Sequence, residues 1–173
     1  YKWNDQVTLH LVYDAVTGNP LGALYLDMFP RDGKFNHFAM FPLISGKRLP
    51  DGAYQRPTVA LICNFPTPGN DKPSLLSHDN VETLFHEFGH ALQHMLTTES
   101  CGPVAGINQV DWDAVELPSQ FMENWCYDKK VLRKIGKHFE TNEPLPDDLY
   151  EKLVASKNFG SGEFIFTSRM MGN

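Results

Sequence analysis

The sequence predicts an α+β protein in which a small N-terminal β-sheet is followed by helices. Residues 1–65 are rich in β-branched, aromatic and aliphatic side chains, and turn residues interrupt them at short intervals. From residue 77 onward the apolar positions change to helical spacing, most clearly over residues 81–96. A chain of 173 residues is long enough for one domain with its own core.

Four strands are expected in the first part of the chain. They cover residues 7–13, 21–29, 35–44 and 58–65. The sequence Thr17-Gly18-Asn19-Pro20 is typical of a turn, so the first two strands are predicted to form a hairpin. A loop rich in Gly, Pro and Asp, residues 45–57, separates the last two strands.

Three helices are expected after residue 77. In the first, Asp79 is the predicted N-cap and Glu82 stands in the capping-box position three residues later. A second helix is expected over residues 113–134, with Pro118 bending or delaying its first turns. A shorter helix is expected over residues 147–156. The apolar stripe of the first helix consists of Val81, Leu84, Phe85, Phe88, Leu92, Met95 and Leu96.

Charge and composition argue against several classes of protein. A formal net charge of −6 disfavours a surface for nucleic acid or for an anionic membrane. The apolar runs are much shorter than the roughly 18 residues of a membrane-spanning helix. The cysteines Cys63, Cys101 and Cys126 lack C-x-x-C spacing, which predicts reduced thiols in a cytosol-like compartment. We therefore expect neither a nucleic-acid partner nor a membrane partner.

The first helix carries the motif H-E-x-x-H at residues 86–90. At 100° per residue, His86 and His90 lie 40° apart on one helix face and one turn apart along the axis. Their imidazoles can therefore converge on one cation, and Zn²⁺ suits such ligands. Glu87 can reach a water on that cation without itself being a ligand. The spacing predicts a catalytic metal site.

A catalytic zinc site needs a third protein ligand. The extended motif that ends in a third histidine would require Gly at position 93 and His at position 96, but these residues are Gln93 and Leu96. His94 lies one turn further along the helix, where we favour a structural role beside the site. We also favour a structural hydrogen bond for His37.

Glu116 is the better candidate for the third ligand, 26 residues after His90. Glu116, Gln120 and Glu123 follow at i, i+4 and i+7 and form a polar stripe among apolar side chains. Burying such a stripe without partners is costly, so it faces either solvent or a metal site. Spacing alone leaves both possibilities open.

Residues 75–94, LLSHDNVETLFHEFGHALQH, resemble the thimet oligopeptidase/oligopeptidase A family of zinc metallopeptidases, as do residues 112–126, WDAVELPSQFMENWC. Residues 22–41 resemble the strand region that precedes the active site in that family. The second segment is most similar to oligopeptidase A. The resemblance implies a zincin-type metallopeptidase core, so we interpret residues 1–173 as part of a catalytic domain: a strand-rich part, 1–65, and a helical part, 77–173.

The resemblance also implies roles for individual residues. His86, His90 and Glu116 correspond to the family's ligands for one Zn²⁺, and Glu87 corresponds to its catalytic carboxylate. The implied activity is that of a zinc metalloendopeptidase, an oligopeptidase that cleaves short peptides with Glu87 as general base and acid. Asp113, Gln120 and Glu123 remain equal candidates to accept hydrogen bonds from the ligating histidines. The edge of the strand at residues 35–44 could pair with an extended peptide.

Several alternatives stay open. The family includes dipeptidyl carboxypeptidases with the same core motif, and a non-catalytic zinc-binding fragment is the main competitor from another class. A hydrolase acting on a non-peptide substrate fits the motif alone. Substrate-binding His and Tyr side chains are expected beyond Asn173, in the remainder of a longer catalytic domain, so we expect the isolated chain to be weakly active or inactive. The expected compartment is the cytoplasm, or an organelle if a transit peptide precedes Tyr1.

Overall fold

The strand-rich part of the chain forms a mixed four-stranded sheet and a separate two-stranded ribbon, β4–β5. The computed structural model describes residues 1–158. The sheet has the order β1-β2-β6-β3; β1–β2 and β6–β3 are antiparallel, whereas β2–β6 is parallel. β3 therefore lies at an edge of the sheet. The strands are β1 (Thr8–Tyr13), β2 (Pro20–Asp27), β3 (Ala39–Ile44), β4 (Lys47–Arg48), β5 (Tyr54–Gln55) and β6 (Thr58–Ile62).

All four predicted strands are present, and the first two form the predicted hairpin. The loop expected over residues 45–57 is interrupted by the ribbon of β4 and β5, which the sequence did not predict. Each strand of the ribbon has only two residues, too few for an alternating pattern to be recognised. The helices are α1 (His78–Met95), α2 (Leu117–Glu123), α3 (Lys129–Ile135) and α4 (Asp147–Asn158), with 3-10 turns at Gly102–Val104 and Asn124–Tyr127.

The core lies between one face of the sheet and α1. Ala91 and Met95 of α1 are fully buried against side chains of β2 and β6. Burial of these apolar side chains removes them from water, which is the main stabilising contribution to such a layer. The predicted stripe also packs here, because Leu84, Phe88 and Leu92 lie against this cluster. The helix carrying the motif is thus held on the sheet by its apolar face.

The predicted start of α1 is wrong by two residues. The N-cap is Ser77, which is extended and whose hydroxyl accepts a hydrogen bond from the Asn80 amide at 3.2 Å. The Asn80 side chain accepts a hydrogen bond from the Ser77 amide in return, completing the capping box. Asp79 lies in the first turn instead, where its carboxylate interacts favourably with the helix dipole.

The continuous helix predicted over residues 113–134 is also wrong. Pro118 lies in the first turn of α2, so the expected delay is confirmed. The helix does not continue to residue 134, because Asp128 adopts an extended conformation with ψ 124°. Its carboxylate accepts hydrogen bonds from the amides of Lys130 and Val131, both at 2.9 Å, and caps α3. A local capping interaction therefore outweighs the helical periodicity of the segment.

The chain divides into two compact units, Tyr1–Cys126 and Tyr127–Asn173. The first contains the sheet, α1 and α2. The described part of the second contains α3 and α4, and its predicted helix over residues 147–156 is confirmed with a slightly longer extent. Arg133 on α3 pairs with Asp147 at the start of α4 at 2.7 Å. None of the helices in residues 1–158 combines the length and apolarity needed to cross a membrane.

A buried ionic cluster fixes the chain at the end of β2. Asp27 is 1% exposed, and its carboxylate lies 2.6 Å from the Arg31 guanidinium and 2.9 Å from the Lys34 ammonium. The Trp3 indole also donates to it, at 2.8 Å. Burial raises the pKa of Asp27, but the hydrogen bonds from Arg31, Lys34 and Trp3 outweigh burial and lower this pKa to about 2.

Candidate metal centre

α1 presents two histidines toward the first turn of α2. His86 and His90 lie one turn apart on α1, with their ring centroids separated by 5.0 Å. The His90 ring is largely buried, whereas a quarter of the His86 side chain is exposed. The expectation that both rings share one helix face is therefore met, and that face looks away from the sheet-packing side chains.

Glu116 brings the third set of donor atoms. It immediately precedes α2, and its Oε2 atom lies 3.2 Å from Nε2 of His86 and 3.2 Å from Nε2 of His90. Donor atoms of all three residues lie within 4.8 Å of one another. Of the two possibilities left open by the sequence, solvent or a metal site, the geometry favours the metal site for Glu116.

The separation of these donors can be compared with the geometry of a tetrahedral ion. Metal–ligand bonds of about 2.0–2.1 Å, as in zinc sites, place two ligands of a tetrahedron about 3.3–3.4 Å apart. The observed 3.2 Å distances from Glu116 to His86 and His90 agree with this spacing. Two imidazoles and one carboxylate are also a ligand set that leaves one coordination position open. The two distances from Glu116 are therefore compatible with a tetrahedral ion such as Zn²⁺ held by these three residues.

Close contact between α1 and α2 makes this convergence possible. A Cβ atom at Gly89 would lie 2.5 Å from the carbonyl oxygen of Pro118 and 2.5 Å from Cα of Ser119. These are backbone atoms, so a side chain at position 89 would force the two helices apart. The glycine of the motif thus sets the distance between the helix that carries the histidines and the segment that carries Glu116.

One of the three candidate acceptors, Glu123, forms a hydrogen bond with the His86 ring nitrogen that does not face Glu116. Oε1 of Glu123 lies 2.6 Å from Nδ1 of His86. When Nδ1 donates its proton there, Nε2 retains the lone pair that faces Glu116. Gln120 and Asp113 are exposed, and no hydrogen bond from either side chain to these histidines is found within residues 1–158. The sequence did not distinguish these three residues as hydrogen-bond acceptors. In the structure, the orientation of α2 brings Glu123 to the His86 ring.

His86 and His90 differ in whether their Nδ1 atoms have a hydrogen-bond partner. Nδ1 of His90 is buried and has no hydrogen-bond partner among residues 1–158. A buried polar atom of this kind is costly unless another group satisfies it. Nδ1 of His86 therefore has an orienting carboxylate inside the described chain, whereas Nδ1 of His90 has no such partner there.

Ser119 contacts Glu116 and was not among the residues singled out from the sequence. Its hydroxyl is completely buried and lies 2.7 Å from Oε2 of Glu116. This hydrogen bond, aided by the charges of His90 and His86, holds the pKa of Glu116 below its ordinary value although partial burial raises it. The sequence signal that could have identified Ser119 is its position three residues after Glu116, because residues at this spacing are neighbours on one helical turn.

Glu87 faces the edge of the sheet. Its Oε2 atom accepts a hydrogen bond of 2.7 Å from the Met40 amide of β3. The residue also lines an open cleft of about 480 Å³ together with His86 and Glu123. The motif carboxylate therefore lies between the two motif histidines and β3, which is an edge strand within residues 1–158 and the strand expected to pair with a peptide.

The predictions for the other two histidines, His94 and His37, differ in how they compare with the structure. His94 is fully buried, with Nε2 3.1 Å from the Ile44 carbonyl oxygen and Nδ1 accepting from the Ile107 amide. The structural role favoured for it is confirmed. The ring of His37 is exposed and packs against Phe35, with centroids 5.5 Å apart. The hydrogen bond expected for the His37 side chain is not found within residues 1–158.

Comparison with known proteins places the chain among the peptidases. The model of peptidase family M3 matches residues 1–173, and the chain belongs to that family. The resemblance inferred from the sequence is thereby confirmed.

The chain is similar to several curated oligopeptidases. It is 46% identical to oligopeptidase A of Escherichia coli (strain K12) over 171 residues, which are 98% of this chain and 25% of that protein. It is 46% identical to the organellar oligopeptidase A, chloroplastic/mitochondrial, of Arabidopsis thaliana, covering 94% of this chain and 21% of the relative. The chain is 36% identical to saccharolysin of Saccharomyces cerevisiae, and the match covers 98% of this chain and 24% of that protein. The chain thus spans about a quarter of the length of these relatives.

Proposed function

We propose that the chain is the metal-binding part of a zinc metalloendopeptidase that hydrolyses internal bonds of short peptides. The observation that carries this proposal is the convergence of His86, His90 and Glu116 at zinc-like spacing beside the Glu87 carboxylate. Membership of peptidase family M3 and similarity to oligopeptidases support the same activity. In this proposal residues 1–65 and 77–173 are the two parts of a zincin-type core.

The proposed ligands are His86, His90 and Glu116, which would hold one Zn²⁺. Bound zinc supplies a Lewis acid that polarises a carbonyl group and lowers the pKa of water toward about 7. Glu87 is the general base: its carboxylate takes a proton from the attacking water and then delivers that proton to the leaving amine. Glu123 keeps the His86 ring in the tautomer whose Nε2 can bind a metal.

The outer edge of β3, which pairs with no further strand within residues 1–158, is the proposed place for the substrate backbone. A sheet edge offers unpaired amide and carbonyl groups to which an extended peptide can add as a further strand. The contact between Glu87 and the Met40 amide brings the proposed base to that edge. A peptide on the edge therefore lies beside the carboxylate that must activate water.

Further segments of a longer protein are proposed to complete the site. The chain spans a quarter of relatives such as oligopeptidase A, so groups that bind the substrate and stabilise the oxyanion would come from elsewhere in such a protein. We propose the cytoplasm as the compartment, as in the probable cytosolic oligopeptidase A of Arabidopsis thaliana, to which the chain is 46% identical. Short peptides are the proposed partners, with neither nucleic acid nor membrane involved.

The decisive experiment is Glu87→Gln in the full-length protein that carries this chain. Zinc content is measured by elemental analysis. The rate of hydrolysis is measured with an internally quenched fluorescent peptide. We expect zinc to be retained and turnover to fall by at least about 100-fold, the usual contribution of a general base. Glu151→Gln, an exposed carboxylate on α4, is the matched control and should have no effect.

The outcomes separate the competing functions. Unchanged turnover in Glu87→Gln would contradict the peptidase mechanism. Zinc binding with no hydrolysis even in the unmodified full-length protein would indicate a non-catalytic metal site. Mass spectrometry of the products distinguishes the two peptidase classes: an endopeptidase cleaves a substrate with an amidated C-terminus internally, whereas a dipeptidyl carboxypeptidase releases dipeptides from free C-termini only.

A further inference from the structure

Ser119 lies where the backbone leaves its hydroxyl little freedom. The residue is fully buried in the first turns of α2, and its Cα is one of the atoms against which Gly89 of α1 packs. Because α1 and α2 are in backbone contact at this point, the Ser119 side chain is enclosed by closely packed atoms.

The hydroxyl of Ser119 has two acceptors, both on Glu116. It lies 2.9 Å from the backbone carbonyl oxygen and 2.7 Å from Oε2 of the side chain. Oε2 is also the carboxylate oxygen that lies 3.2 Å from Nε2 of both His86 and His90. The hydroxyl therefore contacts the one oxygen atom that faces the two histidines.

Glu116 needs such a contact because its own surroundings restrain it poorly. Its side chain is 46% exposed, and a glutamate side chain has three rotatable bonds whose freedom must be lost when it binds a metal. A buried donor at a fixed position favours the rotamer in which Oε2 faces the histidines. Preorganisation of this kind reduces the entropic cost of binding.

We propose that Ser119 is a positioning residue for the third metal ligand: its hydroxyl donates to Oε2 of Glu116 and holds that oxygen at the zinc site. This inference rests on the proposed zinc centre. Hydrogen bonds of this type to metal ligands contribute about 10- to 100-fold to metal affinity.

A purely structural role is the competing explanation. Serine hydroxyls in helices often bond to the carbonyl three or four residues earlier, without any link to function. Ser156 on α4 does this, with its hydroxyl 2.7 Å from the Leu153 carbonyl oxygen. Ser156 therefore provides a matched control that has the same backbone bond and no ligand beside it.

The experiment measures zinc affinity of the full chain by competition with a chromophoric chelator. We expect Ser119→Ala to weaken zinc binding about 10- to 100-fold. Ser156→Ala should bind zinc as the unmodified chain does. Circular dichroism of the metal-free proteins checks that the helices are retained. An affinity of Ser119→Ala within twofold of the unmodified chain overturns the proposal.

A double-mutant cycle tests whether Ser119 acts through Glu116. In a Glu116→Ala background, Ser119→Ala should cause no further loss of zinc affinity. A loss that persists in this background overturns the proposal, because it shows an effect on the fold alone. If Ser119→Ala does not fold, Ser119→Gly also removes the hydroxyl and introduces no new metal ligand, and unchanged affinity in that variant overturns the proposal equally.

The same measurements distinguish failure of the proposed zinc centre from failure of the proposed role of Ser119. If the unmodified chain and the Ser156→Ala control bind no zinc, the zinc centre itself is wrong. If both bind zinc and Ser119→Ala binds it equally well, the zinc centre stands and only the role of Ser119 is lost.

Discussion

Nδ1 of His86 lies 2.6 Å from Oε1 of Glu123, while Nε2 of the same ring lies 3.2 Å from Oε2 of Glu116. Both carboxylates belong to the α2 segment, one at its start and one at its end. The imidazole is thus oriented from one side by an acceptor for its proton and faces a proposed co-ligand on the other. This arrangement explains why a short helix, crossing α1 at a glycine, is sufficient to organise the site.

Removing the Glu123 carboxylate should weaken the metal site without removing a ligand. We expect Glu123→Ala to bind zinc about 10- to 100-fold more weakly, because the His86 ring loses the acceptor that fixes its tautomer. Chelator competition measures the change. Gln120→Ala, an exposed polar residue of the same helix, is the control and should retain full affinity. Equal affinities for the two variants would contradict this role of Glu123.

A side chain at Gly89 should destabilise the protein. The added methyl group of Gly89→Ala meets backbone atoms of Pro118 and Ser119 at 2.5 Å, and such overpacking costs about 1–3 kcal/mol. The better helix propensity of alanine offsets only about 0.5–1 kcal/mol of this cost. Urea unfolding measures the net loss.

The control for this position is Gly102→Ala. There the nearest atoms to an added Cβ lie at 3.6 Å, an ordinary contact. We expect the free energy of unfolding to change by no more than about 0.5 kcal/mol. A Gly89→Ala protein as stable as the control would show that α2 can move away from α1 freely.

The buried cluster around Asp27 predicts a loss of stability in acid. The pKa of Asp27 is about 2 in the folded chain against an ordinary value of 3.8, so its stabilising contribution is present above about pH 4 and is lost as the pH falls toward 2. The shift corresponds to about 2 kcal/mol.

Comparing the unmodified chain with Asp27→Asn separates the pH dependence of stability due to Asp27 from that due to other carboxylates. The variant is expected to be less stable near neutral pH, because Lys34 and Arg31 lose their anionic partner. The difference in unfolding free energy between the unmodified chain and the variant should narrow between pH 4 and pH 2. A difference that stays constant over this interval would falsify the proposed role of the cluster.

The cysteines should differ sharply in reactivity. Burial raises the pKa of Cys63 to about 12, so at pH 8 this thiol is protonated and inaccessible. Cys126 is also buried, whereas Cys101 is exposed. Titration of the native chain with a chromogenic disulfide should therefore detect one rapid thiol, and titration in denaturant should detect all three. Rapid reaction in a Cys101→Ser variant would contradict this expectation.

The class of fold and the two histidines were predictable because they depend on short-range periodicity. Strand alternation and the i, i+3, i+4 stripe of α1 repeat within a few residues, so each element can be recognised locally. The same helical geometry brings His86 and His90 to one face whatever surrounds them. Spacing made Glu116 a candidate, but only the resemblance indicated a ligand, since Glu116 lies 26 residues after His90 and no local rule determines their approach.

Helix boundaries were predicted less well. Ser77 and Asp79 are both suitable N-caps by residue type, and the extended backbone at Ser77 and its reciprocal hydrogen bonds with Asn80 distinguish them. Asp128 similarly interrupts a segment whose composition favours helix, because its side chain satisfies two amides of α3. In each case the residue types are compatible with more than one local arrangement, and the folded structure adopts one of them.

The sequence alone predicted an α+β chain in which His86 and His90 lie at metal-binding spacing on one helix, with Glu87 beside them. The tertiary structure decided which groups surround them: Glu123 rather than Gln120 contacts His86, Met40 contacts Glu87, and the buried Ser119 contacts Glu116. These choices depend on how closely α2 and β3 approach α1. That approach is set by packing between residues distant in the chain, with the glycine of the motif in direct contact with the backbone of α2.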